Sequence, residues 1–332
     1  MRYTTSILAA CATLAIATGA QAAAIIDNGK GIQLGVDSLG QLNVDGGSVS
    51  LGERITVVGL RHLTSGGELE STANGCLCEG WGVGADGTSG YANNASGTAG
   101  LTSLSFTSGG AAHTDDESVG STATSVVNMR DLLKVTHEFT PSASDNLYQV
   151  HVTIENIGAA DVASLRYRRT FDWDVDPTAF SEFVTIGGTA GATAVIGATD
   201  DGFCSSNPYS GCGTIVSGSS GDFVDSGPAD HGANFDFDFG ALAVGATFEF
   251  DIFYGAAFTE SAAFSALAAV GAEVYSFGQA LGDEKGGNGS TFIFAFKGVG
   301  GTPVGQVPEP AALALFGLGV IGLGAARRRR KA

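Results

Sequence analysis

A chain of 332 residues allows one large domain or two modest ones plus targeting segments. Its 34 acidic residues outnumber 16 basic ones, and six of the basic ones stand at the ends: Arg2, Arg327, Arg328, Arg329, Arg330 and Lys331. A body from about residue 23 to 307 keeps 10 basic against 33 acidic side chains, a net charge of about −23 that argues against nucleic acid as a partner, leaves the chain soluble and attracts Ca²⁺ or cationic polymers.

Residues 1–22 have the make-up of a Sec signal peptide. Arg2 gives a short basic start, an apolar run extends from Ile7 to Ala17, and Ala20-Gln21-Ala22 supplies the small-x-small pattern before a cut. Leu8-Ala9-Ala10-Cys11 matches a lipoprotein box superficially, but a cut there leaves too short an apolar stretch ahead of the cysteine.

The body has 51 glycines in the whole chain's count, many Ser and Thr, and 20 Phe, a composition that suits a secreted β protein rich in turns. Its dominant hydrophobic period is two. In chain order, alternation predicts strands at residues 31–36, 132–139, 148–154, 235–239, 247–252 and 292–296, each reading as half-buried and antiparallel. Two segments, about residues 65–100 and 197–232, read as long loops dense in Gly, Ser, Thr and Asn. Thr259 is placed to cap one Ala-rich helix through about Ala272, with Phe264, Leu267, Gly271 and Val274 at helical spacing; it is expected over a sheet edge or a sandwich end. No βαβ alternation and no internal repeat appears. The expected fold is all-β: an antiparallel β-sandwich spanning residues 23–297, with a supersandwich as one form of it, with long Gly-rich loops, and residues 298–306 form a Gly-rich stalk.

Within the body, Cys76, Cys78, Cys204 and Cys212 remain once the leader carrying Cys11 is removed, and an even number in an exported chain implies two disulfides. Three pairings are open. Cys204–Cys212 closes a local loop, Cys76–Cys78 makes a tight ring, and cross-linking the two long loops is the sterically easier choice for Cys76 and Cys78. A Cys₄ zinc site has poor spacing here and an oxidising route against it. Asp172, Asp174 and Asp176 alternate in residues 166–177, sharing one strand face with Arg166 and Arg168 while Tyr167, Phe171, Trp173 and Val175 take the other. Carboxylates two apart on a strand lie about 7 Å from each other, too far to share an ion unless the chain turns at Pro177. Two readings follow: acids paired with the nearby arginines, or a weak Ca²⁺ or sugar-binding face. No other cofactor is indicated. The stretch Gly82-Val83-Gly84-Ala85-Asp86-Gly87 matches a dinucleotide fingerprint only as a string and reads as a Gly-rich loop. Trp81 is placed in a loop, either against a disulfide or free to stack on a sugar. His62, His113, His137, His151 and His231 form no metal-ligand spacing, no nucleophile elbow is present, and no catalytic residue is assigned, so the chain reads as non-enzymatic.

The C-terminus has three parts in strict order. Pro308-Glu309-Pro310 comes first, an uninterrupted small and apolar run bounded by Ala311 and Ala326 follows, and Arg327, Arg328, Arg329 and Arg330 close it. As a helix the run spans about 24 Å, a little short of the ~30 Å hydrocarbon core, enough for a transient span with arginines reaching the headgroups. The basic cluster orients that span with the acidic body outside. Residues 307–332 thus resemble the PEP-CTERM sorting signal of Gram-negative bacteria. The resemblance implies export through Sec, passage through the inner membrane, and processing by an exosortase, a membrane-embedded enzyme taken to recognise Pro308, Glu309 and Pro310. It further implies a cell-surface or extracellular-matrix destination and an association with exopolysaccharide or biofilm. A structural or adhesive role is the first functional expectation, and a secreted hydrolase acting on a polysaccharide is the alternative.

Overall fold

The computed structural model describes residues 22–110, 120–282 and 289–305. The expected signal peptide, the Pro308-Glu309-Pro310 motif, the apolar span and the arginine tail lie outside the described residues. So does the expected transmembrane helix, and no helix among the described residues is long and apolar enough to cross a membrane.

The strands in the first third of the chain are β1 (Ala23–Asp27), β2 (Ile32–Asp37), β3 (Leu60–Thr64), β4 (Gly67–Glu70), β5 (Gly80–Ala85), β6 (Thr88–Asn93) and β7 (Leu101–Gly109). The middle contributes β8 (Thr122–Met129), β9 (Leu133–Pro141), β10 (Leu147–Asn156), β11 (Leu165–Trp173), β12 (Glu182–Gly187) and β13 (Val195–Thr199). After them come β14 (Phe223–Ala229), β15 (His231–Asp238), β16 (Thr247–Ala257), the helix α1 (Glu260–Val270), β17 (Val274–Gln279) and β18 (Thr291–Lys297). They form a four-stranded sheet β1-β2-β3-β4, a nine-stranded sheet β14-β12-β17-β18-β16-β10-β9-β8-β7 and a five-stranded sheet β13-β15-β11-β5-β6. The ladders between these named strands are antiparallel, which fits the expected all-β sandwich.

The alternation read from the sequence sets which side chains fill the core. Phe292, Phe294 and Phe296 of β18 and Phe250, Ile252 and Tyr254 of β16 point inward from the nine-stranded sheet. Tyr167 and Phe171 of β11 and Phe235 and Phe237 of β15 meet them from the five-stranded sheet. Phe171 stacks on Phe294 with ring centroids 4.9 Å apart, Phe237 crosses Phe296 at 4.7 Å, and Tyr167 crosses Phe250 at 4.9 Å. Offset-stacked and edge-on pairs of this kind add to the area term that drives sheet-on-sheet packing.

Four expectations need correction. First, β18 is buried on both faces rather than one. Ile293 and Ala295, at the alternate positions, join Leu147, Phe253, Phe277, Ala263, Ala266 and Leu267 in a second core under α1. The helix therefore covers the outer face of central strands, not a sheet edge. Second, α1 ends at Val270. Gly271 takes a left-handed conformation (φ 71°) as the cap, and Val274 belongs to β17. Third, the supposed loop over residues 65–100 contains β4, β5 and β6, so the glycine fingerprint string lies on the end of β5 and the turn into β6. Its glycines suit a close approach: a Cβ on Gly82 would sit 2.1 Å from the Ser206 carbonyl oxygen of a loop crossing β5. Fourth, Trp81 is fully buried on β5, donates from Nε1 to the Leu39 carbonyl at 2.8 Å and packs on His137, out of reach of any sugar.

The core also holds charges that hydropathy does not show. Arg169 lies among Tyr167, Phe171 and Trp173 and pairs with Glu79, both fully buried, at 2.5 Å. Glu79 also accepts from the Leu42 amide at 2.6 Å, and Arg169 donates to the Gly40 carbonyl at 3.1 Å. The Gly-rich residues 298–305, expected as a stalk, are hydrogen-bonded to the body. Gly298, Val299 and Gly301 donate to the Glu273 carboxylate at 3.1, 2.9 and 2.9 Å, and Val304 donates to the Ala272 carbonyl at 2.7 Å.

Candidate functional site

On β11 the residues facing away from the core run Arg166, Arg168, Thr170, Asp172. The opposing strand β15 answers them directly: Asp238 stands opposite Arg166, Asp236 opposite Arg168, Asn234 opposite Thr170 and Gly232 opposite Asp172. Arg168 donates from Nε and Nη2 to both Asp236 oxygens at 2.6 and 2.8 Å, and spends its remaining donors on the Ser205 and Ser210 carbonyls at 2.7 and 2.8 Å. Arg166 lies 3.6 Å from Asp238 and under the Tyr209 ring. The arginines are thus committed to the acids of β15. The expectation that they neutralise the acids later in their own strand is corrected by the register.

Asp172 faces a glycine instead of a cation. A Cβ on Gly202 would lie 2.8 Å from the Asp172 Cα and 2.9 Å from its Oδ1, and a Cβ on Gly232 would lie 2.0 Å from the Phe171 oxygen. Both glycines are what lets the loop after β13 close over this end of β11. Past Trp173 the chain leaves the ladder. The Asp174 amide donates to the Ser71 carbonyl at 2.8 Å, and Asn74 donates from Nδ2 to the Asp174 carbonyl at 2.9 Å. One step beyond the ladder, Asp230 comes level with Asp174, so that carboxylate oxygens of Asp172, Asp174 and Asp230 all lie within 4.8 Å of one another.

The hydrogen bonding of this cluster is incomplete. Asp174 is fully buried, yet neither of its carboxylate oxygens has a partner, and neither has Oδ1 of Asp172, which is 1% exposed. The Asp172 Oδ2 lies 3.2 Å from Sγ of Cys76, a disulfide sulfur with no proton to give. Glu182, also fully buried, accepts from the Val175 amide at 3.2 Å through Oε1 and leaves Oε2 unpartnered. Asp230 is exposed and opens the cluster to solvent. Burial pushes the Asp174 carboxyl up to about 10, with the charges of Asp172, Glu182 and Asp230 adding to it. Burial likewise raises Asp172 to about 8, with Asp230 and Asp201 contributing, and Glu182 to about 8. Burial also raises Asp230, opposed by His231. That histidine is committed elsewhere, its Nδ1 2.9 Å from Asp200 and its Nε2 3.3 Å from the Glu182 carbonyl. Buried carboxylates without donors are costly when ionised. A proton or a hard cation removes that cost, and an all-oxygen set suits Ca²⁺, Mg²⁺ or Mn²⁺ rather than a soft metal.

Of the three aspartates singled out from the sequence, the fold brings Asp172 and Asp174 together and takes Asp176 away. Asp176 accepts from the Glu70 amide at 3.0 Å, the Glu53 amide at 3.3 Å and Asn74 Nδ2 at 3.1 Å, which uses its carboxylate to pin the turn after β11. Asp230 and Glu182 take its place. The charge pattern contained the signal for Asp230: matching Arg166 and Arg168 with Asp238 and Asp236 fixes the β11–β15 register and carries Asp230 to Asp174.

The cysteines pair as Cys76–Cys78 and Cys204–Cys212, with Cα separations of 5.3 and 5.5 Å. The two long segments are therefore not cross-linked to each other. Cys76 touches Asp172 and Cys204 touches Arg168. Those residues are four apart on one strand, about 13 Å, so no four-cysteine zinc site forms.

The described body is an acidic, disulfide-bearing all-β sandwich of the kind suited to an oxidising compartment. Residues 306–330 match the PEP-CTERM protein-sorting motif, which makes this an exported chain that an exosortase anchors or processes at the membrane. No curated protein matches the chain.

Proposed function

We propose that the mature protein is a cell-surface or extracellular-matrix component with a structural or adhesive role in exopolysaccharide or biofilm. The sorting motif at residues 306–330 carries this reading. The body supports it: it is strongly acidic, and its large side chains pack into two cores. A hydrolase acting on a glycan needs two carboxylates facing a cleft. Three of the surface cavities are lined by Asp238, by Glu273 and by no carboxylate respectively, so none of these three holds such a pair.

The test is intact mass and fractionation of the native protein beside a triple variant, Pro308→Ala, Glu309→Ala and Pro310→Ala. The native form is expected without its arginine tail and outside the inner membrane, and the variant full-length within it. If both keep the arginines and remain in the inner membrane, the tail is a plain anchor and a matrix destination is lost with it. Loss of surface-attached growth in cells carrying only the triple variant then separates a matrix role from mere export.

A further inference from the structure

We propose that Asp172, Asp174 and Asp230, with Glu182 beside them, form a calcium site that locks the end of β11 to the segments around Asn74, Gly202 and Asp230. One observation independent of the acidic composition points to a ligand here. Both oxygens of Asp174 and one of Asp172 are buried and have no donor, although elsewhere in this fold buried carboxylates are supplied with partners. Glu70 binds Arg61 and four amides, and Asp176 binds two amides and Asn74. Gly202 and Gly232 let the loop after β13 pack its backbone directly against Asp172, which walls that carboxylate off on one side.

The chemistry selects the ion. The donors are carboxylate oxygens within 4.8 Å of one another, a spacing that admits a cation bound at about 2.3–2.6 Å from each. No free imidazole or thiolate joins them, since both nitrogens of His231 are engaged and Cys76 and Cys78 are joined. That disfavours zinc and copper. Asp230 sits on the open side, where its flexibility and solvent suit the loose, high coordination of Ca²⁺ better than the strict octahedron of Mg²⁺. The site also fits the route the sorting motif implies: an exported chain meets free calcium at the 10⁻⁴–10⁻³ M level at which extracellular modules bind it. The inference does not depend on the matrix role, and its test is separate from processing of the tail.

The experiment uses the purified, chelator-treated protein. Calcium is titrated by calorimetry, and Tm is recorded with chelator, Ca²⁺, Mg²⁺ or Zn²⁺. Wild type is expected to bind about one Ca²⁺ and to gain several degrees of Tm, with a smaller gain from Mg²⁺. Asp172→Asn and Asp174→Asn are expected to abolish the calcium gain. In chelator each should melt at or above the wild-type temperature, because a neutral amide replaces a buried carboxyl that lacks donors for its ionised form. Asp131→Asn, at an exposed turn, should respond as wild type does. A merely acidic surface would instead show weak, multiple binding that survives both substitutions, and that outcome overturns the proposal. Absence of calorimetric binding to wild type overturns it whether or not the variants fold. A larger gain from Mg²⁺ or Zn²⁺ than from Ca²⁺ overturns the assignment of the ion.

Discussion

His62 shows how a single buried group ties stability to pH. It is 3% exposed, its Nδ1 lies 2.7 Å from Ser290 Oγ, and its ring packs 4.5 Å from that of Phe258. Burial lowers its pKa from the usual 6.5 to about 4. The unfolded chain therefore binds a proton between about pH 6.5 and 4 that the folded chain refuses, and stability falls as pH falls through that window. The ceiling for this group is about 3 kcal/mol. His137, buried beside Arg169, shifts in the same direction, whereas the carboxylates around Asp174, with raised pKa values, contribute in the opposite sense. Comparison with His62→Gln isolates the one group: in Tm against pH, the gap between wild type and variant should change by several degrees between pH 7 and 4, in favour of the variant at low pH. Parallel curves would mean that His62 does not carry the dependence. None of this was legible in the sequence, which showed of the histidines only that they lack metal-ligand spacing. A residue's burial on a strand depends on what the partner sheet places over it, as Arg169 and Glu79 show more forcefully. A lone charge inside an apolar alternation looks like an interruption until its partner, 90 residues away, is known.

At the level of elements, pattern and chemistry agreed wherever both faces of a strand gave distinct signals. On β10, inward Val150, Val152 and Ile154 against half-exposed Gln149, His151 and Thr153 allow only one facing. On β5 the alternation was Gly80, Trp81, Gly82, Val83, Gly84, and glycine on one face imitates a loop. The site was legible in part for a related reason. A strand's own sequence reports spacing along it but not what lies across, so Asp172 and Asp174 were found and Asp230, which arrives through β15, was not. The helix was read through its cap. Thr259 accepts from the Ala262 amide at 3.2 Å, and Glu260 stands in the first turn, where an acid is favoured. Because α1 seals the second core over Ile293 and Ala295, loosening its start exposes apolar surface beyond the cap itself. Thr259→Ala should cost about 1 kcal/mol, and Thr259→Ser should recover most of it. Urea denaturation monitored by circular dichroism measures both. Equal loss in the two variants would show that the threonine methyl, and not the hydroxyl, is what matters.

For the molecule as a whole, the ends and the body make competing demands on the chain between them. Residues 298–305 follow the body closely. The Thr193 and Ala194 amides donate to the Gly300 and Val299 carbonyls at 3.1 Å each, Val299 is 1% exposed, and Val304 packs on the second core. Glycines along this strap permit the left-handed turns at Gly298, Gly300 and Gly305, so a composition that looks like a flexible spacer instead fits a tight path across the surface. From Val304 to Pro308 is four residue steps, at most about 14 Å of extended chain. An exosortase acting at the tripeptide must then either work that close to a folded acidic body or wait for the strap to peel. Either way, reach limits processing. Inserting about ten Gly/Ser residues after Gly305 adds a coil spanning roughly 16–19 Å and should shorten the half-time of tail processing in a pulse-chase. Val304→Asp, which puts a charge where the strap meets the second core, should do the same with no change in length. Faster processing in both variants places the limit at the strap. If only the spacer accelerates it, the limit is the distance from the body to the membrane, and if neither does, the body sits clear of the enzyme as it stands.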